Sequence, residues 1–180
     1  VEEGQSPHTL FIGCSDSRVV PDLLIDAAPG ELFVVRNVGN IVPPPEADEG
    51  HHGVSAAIEY AVEILHVAEI VICGHSHCGA VRALYEPPSD LPENLSRWLE
   101  LASGARIDEP VSEALLRRTE RRSIVLQLDR LMDFPTVRER VEAGEIGLHG
   151  WHYVIEDGSV RVLDFETGEF VPHAEETDDG

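Results

Sequence analysis

Two short clusters gather side chains that do chemistry together. One is Cys14-Ser15-Asp16-Ser17-Arg18 and the other Gly74-His75-Ser76-His77-Cys78-Gly79. His75 and Cys78 stand three residues apart and can face the same way on a first helical turn, as a metal pair often does. Cys14 adds a second thiolate. Two soft thiolates and one imidazole suit Zn²⁺, and three protein ligands leave a fourth position open, where a structural site closes with four. A cysteine at the end of an apolar run is most often a small core residue. The pairing with His75 and the proximity of Asp16 and Arg18 favour the metal reading. In extended backbone, Cys14, Asp16 and Arg18 project to one side. An arginine beside a carboxylate keeps it ionised and fixes its orientation. Such a carboxylate, next to an open metal position, can accept a hydrogen bond from a bound hydroxide; taken alone, the pair would be an ordinary surface salt bridge.

These clusters need elements to hold them. Thr9–Gly13, Leu32–Val35 and Glu69–Cys73 are short apolar runs, each followed by polar or glycine residues, as buried strands feeding a loop are. Between the second and third, Val54, Ala57, Ile58, Ala61 and Leu65 recur at helical spacing. Strand, helix, strand is a βαβ unit, so the spacing predicts an α/β fold with a mainly parallel sheet flanked by helices. Both clusters then sit past the carboxyl ends of strands, where open α/β sheets place ligands. Further helices are predicted over Ser89–Ser103, Val111–Leu131 and from Pro135 to near Gly144. Gly147–Ile155 and Val160–Phe165 flank an Asp-Gly turn and predict a hairpin. Residues 43–52 read as a loop, residues 173–180 as a disordered acidic tail, and the whole of 1–180 as a single domain.

The chain has 180 residues, with 13 basic residues, all arginine, against 34 acidic ones, a formal charge of −21. That field disfavours nucleic acids and anionic membranes as partners and is indifferent to a small neutral substrate. Three cysteines are too few for a secreted disulfide scaffold, which points to a reducing, cytoplasmic compartment. No stretch approaches the ~18 apolar residues of a membrane span, and no signal peptide is evident. The start at Val1 rather than Met leads us to expect a segment upstream. A charge this large, without lysine, suits a salt-rich cytoplasm in which self-repulsion is screened.

Residues Leu10 to Val19 (LFIGCSDSRV) resemble the CxDxR signature of the β-class carbonic anhydrases, and Ile72 to Ala80 (ICGHSHCGA) their HxxC signature. Gly4-Gln5-Ser6-Pro7, the block Leu32 to Asn40, Glu59-Tyr60-Ala61-Val62 and Leu148-His149-Gly150-Trp151 are similar as well, so the resemblance runs from about Gly4 to Phe170.

This resemblance implies one Zn²⁺ per subunit on Cys14, His75 and Cys78, with water or hydroxide as fourth ligand and reversible hydration of carbon dioxide to bicarbonate. Asp16 would accept the hydroxide's hydrogen bond and Arg18 would hold Asp16 off the metal; in some members the aspartate swings onto zinc at lower pH. Gln5, Phe33, Val38 and Tyr60 match positions of a carbon dioxide pocket built partly across a subunit boundary, and the Gly79 N–H matches a donor to substrate. One subgroup has a regulatory bicarbonate pocket of Trp, Arg and Tyr. Arg36 and Tyr60 match two of its positions, but Phe11 replaces the Trp and lacks its N–H, which argues against that pocket. Dimers or tetramers are implied, usually with an N-terminal arm that is largely absent here. Two thiolates should keep the bound water protonated to higher pH than three histidines do, so activity is expected to rise through about pH 7 to 9. His77, His51 and His52 are candidate proton relays, a solvated role being the plainer reading of His77; His66, His152 and His173 read as structural or surface residues. The competing readings are a carbonyl sulfide or carbon disulfide hydrolase on the same scaffold, and a non-catalytic zinc- or bicarbonate-binding domain.

Overall fold

The computed structural model describes residues 4–45 and 50–173. Six strands form one sheet in the order β2-β1-β3-β4-β5-β6: β1 (Thr9–Cys14), β2 (Leu32–Asn37), β3 (Glu69–His75), β4 (Gly147–Val154), β5 (Ser159–Leu163) and β6 (Phe170–Pro172). The first four are parallel, and β5 and β6 add in antiparallel fashion. The expected mainly parallel sheet is therefore present, with a mixed edge. β1 and β3 are buried almost throughout, as their unbroken apolar runs require, while β2 lies at one edge and alternates in exposure.

The chain leaves β1 in one direction to make β2 and returns on the other side to make β3. The connection through α1 (Pro21–Leu24) covers one face, where Leu24 meets Phe11, Val71 and Cys73. The connection through α2 (Gly53–Glu59) covers the other, where Ile58 meets Leu10, Ile12, Ile70 and Ile72. Between β1 and β3 lies a topological switch point, and the crevice at the carboxyl ends of those two strands is the ligand position of an open sheet. Gly13 pairs with Cys73, so Cys14 comes level with Gly74, one residue short of His75.

The predicted helix over Val54–Leu65 is interrupted. α2 gives way to a π-helical turn, Tyr60–Ile64, in which the Leu65 N–H donates to the Tyr60 carbonyl at 3.0 Å. Ala61 and Val62 are both buried, continuing the stripe of Ile58 at i+3 and i+4. The helix predicted over Ser89–Ser103 is shorter, α4 (Glu93–Glu100), with a 3₁₀ turn at Ser103–Ala105. α5 (Glu113–Asp133) begins after Ser112, whose hydroxyl accepts the Leu115 N–H, and α6 is Pro135–Glu142. The hairpin forms around Gly158 at φ +74°, with Val154 opposite Ser159. β6 is an addition that three residues gave no means of reading. Of the expected tail only His173 is described, its N–H donating to the Val160 carbonyl at 3.1 Å; residues 174–180, like 46–49 of the predicted loop, lie outside the described residues.

α5 crosses β3 and β4 at glycines. A Cβ on Gly74 would stand 2.8 Å from Ile124 Cγ1, and one on Gly150 would stand 3.0 Å from both Ile124 and Leu128. This close approach brings the polar side of α5 down to the strand ends. Gly74→Ala is expected to cost about 1–3 kcal/mol by overpacking; chemical denaturation should show a lower midpoint, and an unchanged midpoint would mean that α5 can shift freely.

Candidate metal centre

Cys14, His75 and Cys78 are brought together although 64 residues separate the first from the last. Their donor atoms all lie within 4.8 Å of one another, and all three residues are buried. Cys14 comes from the end of β1, His75 from the end of β3, and Cys78 from the residue before the short helix α3 (Gly79–Ala83). His77 adopts φ +56°, which turns the chain so that both ligand side chains face Cys14.

The histidine is prepared for a cation. Its Nδ1 bonds the Ser76 carbonyl at 2.8 Å and therefore carries the proton, while Nε2 is buried without a partner. A buried Nε2 with no hydrogen-bond partner, grouped with two sulfurs, is a donor atom that a metal could use. The neighbouring Cys78 and the backbone N–H groups of Asp16 and Gly39 hold the Cys14 thiol well below its ordinary range, against burial. The Cys14 thiolate in turn holds the Cys78 proton well above the ordinary thiol range. A divalent cation binding here would displace the thiol protons. Cys73, pushed up to about 12 by burial, points to the other face and stays a core thiol.

Asp16 stands beside this cluster, its Oδ2 3.9 Å from His75 Nε2. Arg18 grips both carboxylate oxygens, Nε to Oδ1 at 2.9 Å and NH2 to Oδ2 at 2.7 Å. These bonds hold the Asp16 carboxyl well below the usual carboxylate range. The expected extended alternation does not continue to Arg18. The Val19 N–H donates to the Asp16 carbonyl at 3.0 Å and the Arg18 N–H to Oδ1 at 3.0 Å, so the chain turns at Asp16 and the pair meets across that turn.

Sequence reading missed the supports. Arg36 donates to the carbonyls of Cys14 (2.9 Å) and Asp16 (2.7 Å), pinning the segment between them. The Asn37 side chain brackets Ile41 through both its oxygen and its nitrogen, which folds Gly39 (φ +81°) over the site so that its N–H reaches Cys14 Sγ at 3.4 Å. Behind Cys78, the buried carboxylate of Glu120 on α5 accepts the Cys78 N–H at 3.4 Å and His152 Nε2 at 2.9 Å. Burial pulls His152 below its ordinary value, so it stays neutral and donates. Leu116, Glu120, Ser123 and Gln127 share one buried helix face, and those polar residues within the apolar stripe were the available signal.

The remaining candidates divide between the two ends of the sheet. Val38 follows β2 at the cluster end, its carbonyl held by the Trp98 indole N–H at 2.8 Å, and Gly79 follows Cys78. Phe33 pairs with Leu10, four residues before Cys14, and its ring meets Tyr60 at 5.8 Å. Gln5 lies near Pro29 and Glu31 at the opposite end. Phe11 and Arg36 occupy one face of the sheet and Tyr60 the other; Phe11 is packed edge-on against Trp151. His77 is half-exposed and bonds Glu156 at 2.7 Å; His52 lines a surface cavity with Pro44 and Trp98; His51 is exposed; His66 lies beside Arg140.

The carbonic anhydrase family model matches residues 9–160. A carbonic anhydrase of Pseudomonas aeruginosa is 47% identical over 178 residues, covering 95% of this chain and 80% of that one. The chain belongs to the β-class carbonic anhydrase family. The β-carbonic anhydrase CcaA superposes with a TM-score of 0.88 at 38% identity, over 96% of this chain and 86% of that one. One of the tetrameric β-carbonic anhydrases of Sordaria macrospora gives 0.78 at 32%, over 90% and 83%. In this chain the cysteines and histidine of the two signatures form one buried group, Cys14, His75 and Cys78.

Glu156 supplies a pH test. Donation from the Ser76 hydroxyl, and further from the His77 ring and Arg117, brings its carboxyl down to about 2 from an ordinary 4.5. A depressed folded value contributes stability above pH 4.5 that disappears as pH falls toward 2. Glu156→Gln should therefore lose stability less steeply than wild type across that window in acid denaturation. Identical slopes would show that the carboxylate is not held by these donors.

Proposed function

We propose that this β-class carbonic anhydrase family member catalyses the reversible hydration of carbon dioxide to bicarbonate and a proton, with one Zn²⁺ held by Cys14, His75 and Cys78. The observation that carries the reading is the buried His75 Nε2, without a hydrogen-bond partner and grouped with the Cys14 and Cys78 sulfurs, beside an aspartate clamped by arginine. When bound, zinc supplies a Lewis acid that lowers the pKa of a coordinated water toward neutrality.

Asp16, ionised throughout the working range, is a hydrogen-bond acceptor only, and it orients a water proton so that an oxygen lone pair faces substrate. Arg18 occupies both carboxylate oxygens and keeps Asp16 from closing on the metal position. Val38 and Gly79 border the substrate space. Gln5, Phe33 and Tyr60 sit too far along the sheet to reach the cluster of their own protomer, which supports a pocket completed by a second copy. Exposed Val34, Val38 and Tyr60 along the β2 edge support the same homodimer, alone or as half of a tetramer. A neutral substrate is unaffected by the acidic surface, and the anionic product is repelled outward. Among the described residues no helix is long and apolar enough to cross a membrane. Three free cysteines support a reducing, cytoplasmic setting.

Stopped-flow carbon dioxide hydration on zinc-loaded protein tests this directly. Wild type should be active, with a rate rising through about pH 7 to 9. Cys78→Ala should lose zinc and activity, and Asp16→Ala should retain zinc while losing about 10–100-fold in kcat/KM. No hydration by metal-replete wild type overturns the function, and activity unchanged in Cys78→Ala overturns the ligand set. The charge of −21 gives a separate test of habitat. We expect unfolding or dissociation at low ionic strength with recovery in KCl, since the screening length falls to ~3 Å at 1 M; indifference to salt would remove the salt-rich cytoplasm.

A further inference from the structure

The segment from Ser76 to Cys78, which carries the loop between two metal ligands, is gripped by two carboxylates from separate elements. Glu120 of α5 accepts the Cys78 N–H at 3.4 Å, and Glu156 of the β4–β5 turn accepts the Ser76 hydroxyl at 2.5 Å and bonds the His77 ring at 2.7 Å. The Ser76 hydroxyl oxygen in turn accepts the Ile155 N–H at 2.8 Å, locking hairpin to loop. Two anions converging on one short segment repel each other, and Glu120 is 3% exposed, where an unpaired charge is costly.

Arg117 resolves this. One nitrogen of its guanidinium, NH1, lies 3.3 Å from Glu120 Oε2, and the other, NH2, bonds Glu156 Oε1. A planar fork with several donors can bridge two carboxylates, while an ammonium is a single point charge. The geometry points to Arg117 as a positioning residue that ties α5 to the β4–β5 turn and so fixes the His75–Cys78 loop in ligand geometry. Arg117 touches no proposed ligand atom; it acts through Glu120 on the backbone of Cys78, through Glu156 on Ser76, and on His77 both through Glu156 and by its own contact with the ring nitrogen Nε2 at 3.3 Å. This rests on Cys14, His75 and Cys78 being the metal ligands, as proposed above.

The test is metal release from zinc-loaded wild type, Arg117→Ala, Arg117→Lys and Glu156→Gln, followed with a chromophoric chelator, together with the visible spectrum of each cobalt-substituted protein. Arg117→Ala should release zinc about 10–100-fold faster than wild type and alter the cobalt bands, which report ligand geometry. Arg117→Lys should recover only part of the loss. Glu156→Gln, a change at an exposed turn that keeps an acceptor for Ser76 but removes the charge facing Arg117, should release faster than wild type and covers the case in which Arg117→Ala does not fold. Wild-type release and spectra in the folded variants overturn the clamp. Wild type that cannot retain zinc, or Cys78→Ala that retains it normally, overturns the ligand assignment and the clamp with it, so the two failures read differently.

Discussion

The register of β1 against β3 is the constraint on which the site depends. Gly13 opposite Cys73 sets Cys14 level with Gly74, so that the next residue on β3 is a histidine and three further on the second thiolate returns. A slip of one residue would turn Cys14 and the whole hydrophobic set of β1 to the other face. Burial on both faces forbids that slip: Leu10 and Ile12 belong to the core under α2, and Phe11 to the smaller cluster under α1. The apolar interior thus does the positioning that chemistry needs, and the switch point between the two strands leaves the crevice open.

Around that register the polar groups are arranged by what burial permits. Asp16 and Arg18 remain at the surface and settle their charges on each other. Glu120 is buried and is tolerable because a neutral histidine, a backbone N–H and an arginine surround it. Arg36 and Asn37 work on carbonyls and amides rather than on substrate, and their function is to remove freedom from the segments on either side of Cys14. Glycine at 74 and 150 allows α5 near enough for all of this.

The candidate metal ligands and the central strands were legible because each announces itself locally: an apolar run leading to Cys14, another leading to His75, and a three-residue step to Cys78. The Asp16–Arg18 pairing was legible in partnership but not in shape, since the turn at Asp16 competes with extended alternation and wins through the N–H bonds to its own carboxylate. Glu120 and Glu156 were hidden by sequence distance, 42 and 80 residues from the groups they hold, and by the surrounding excess of acids among which two more carry no signal. The π turn at Tyr60 keeps the helical pattern nearly intact while shifting its phase, and periodicity cannot register one inserted residue.

The parallel crossover between β1 and β3 also sets an order in time. On a growing chain Cys14 is made first and has no partner until a long loop closes, whereas His75 and Cys78 emerge almost together as a two-ligand half-site. Loop closure must precede the third bond, and the helix and hairpin bearing Glu120 and Glu156 follow still later. The group of Cys14, His75 and Cys78 is whole only in the finished sheet, since its donors come from the ends of β1 and β3 and the residue before α3.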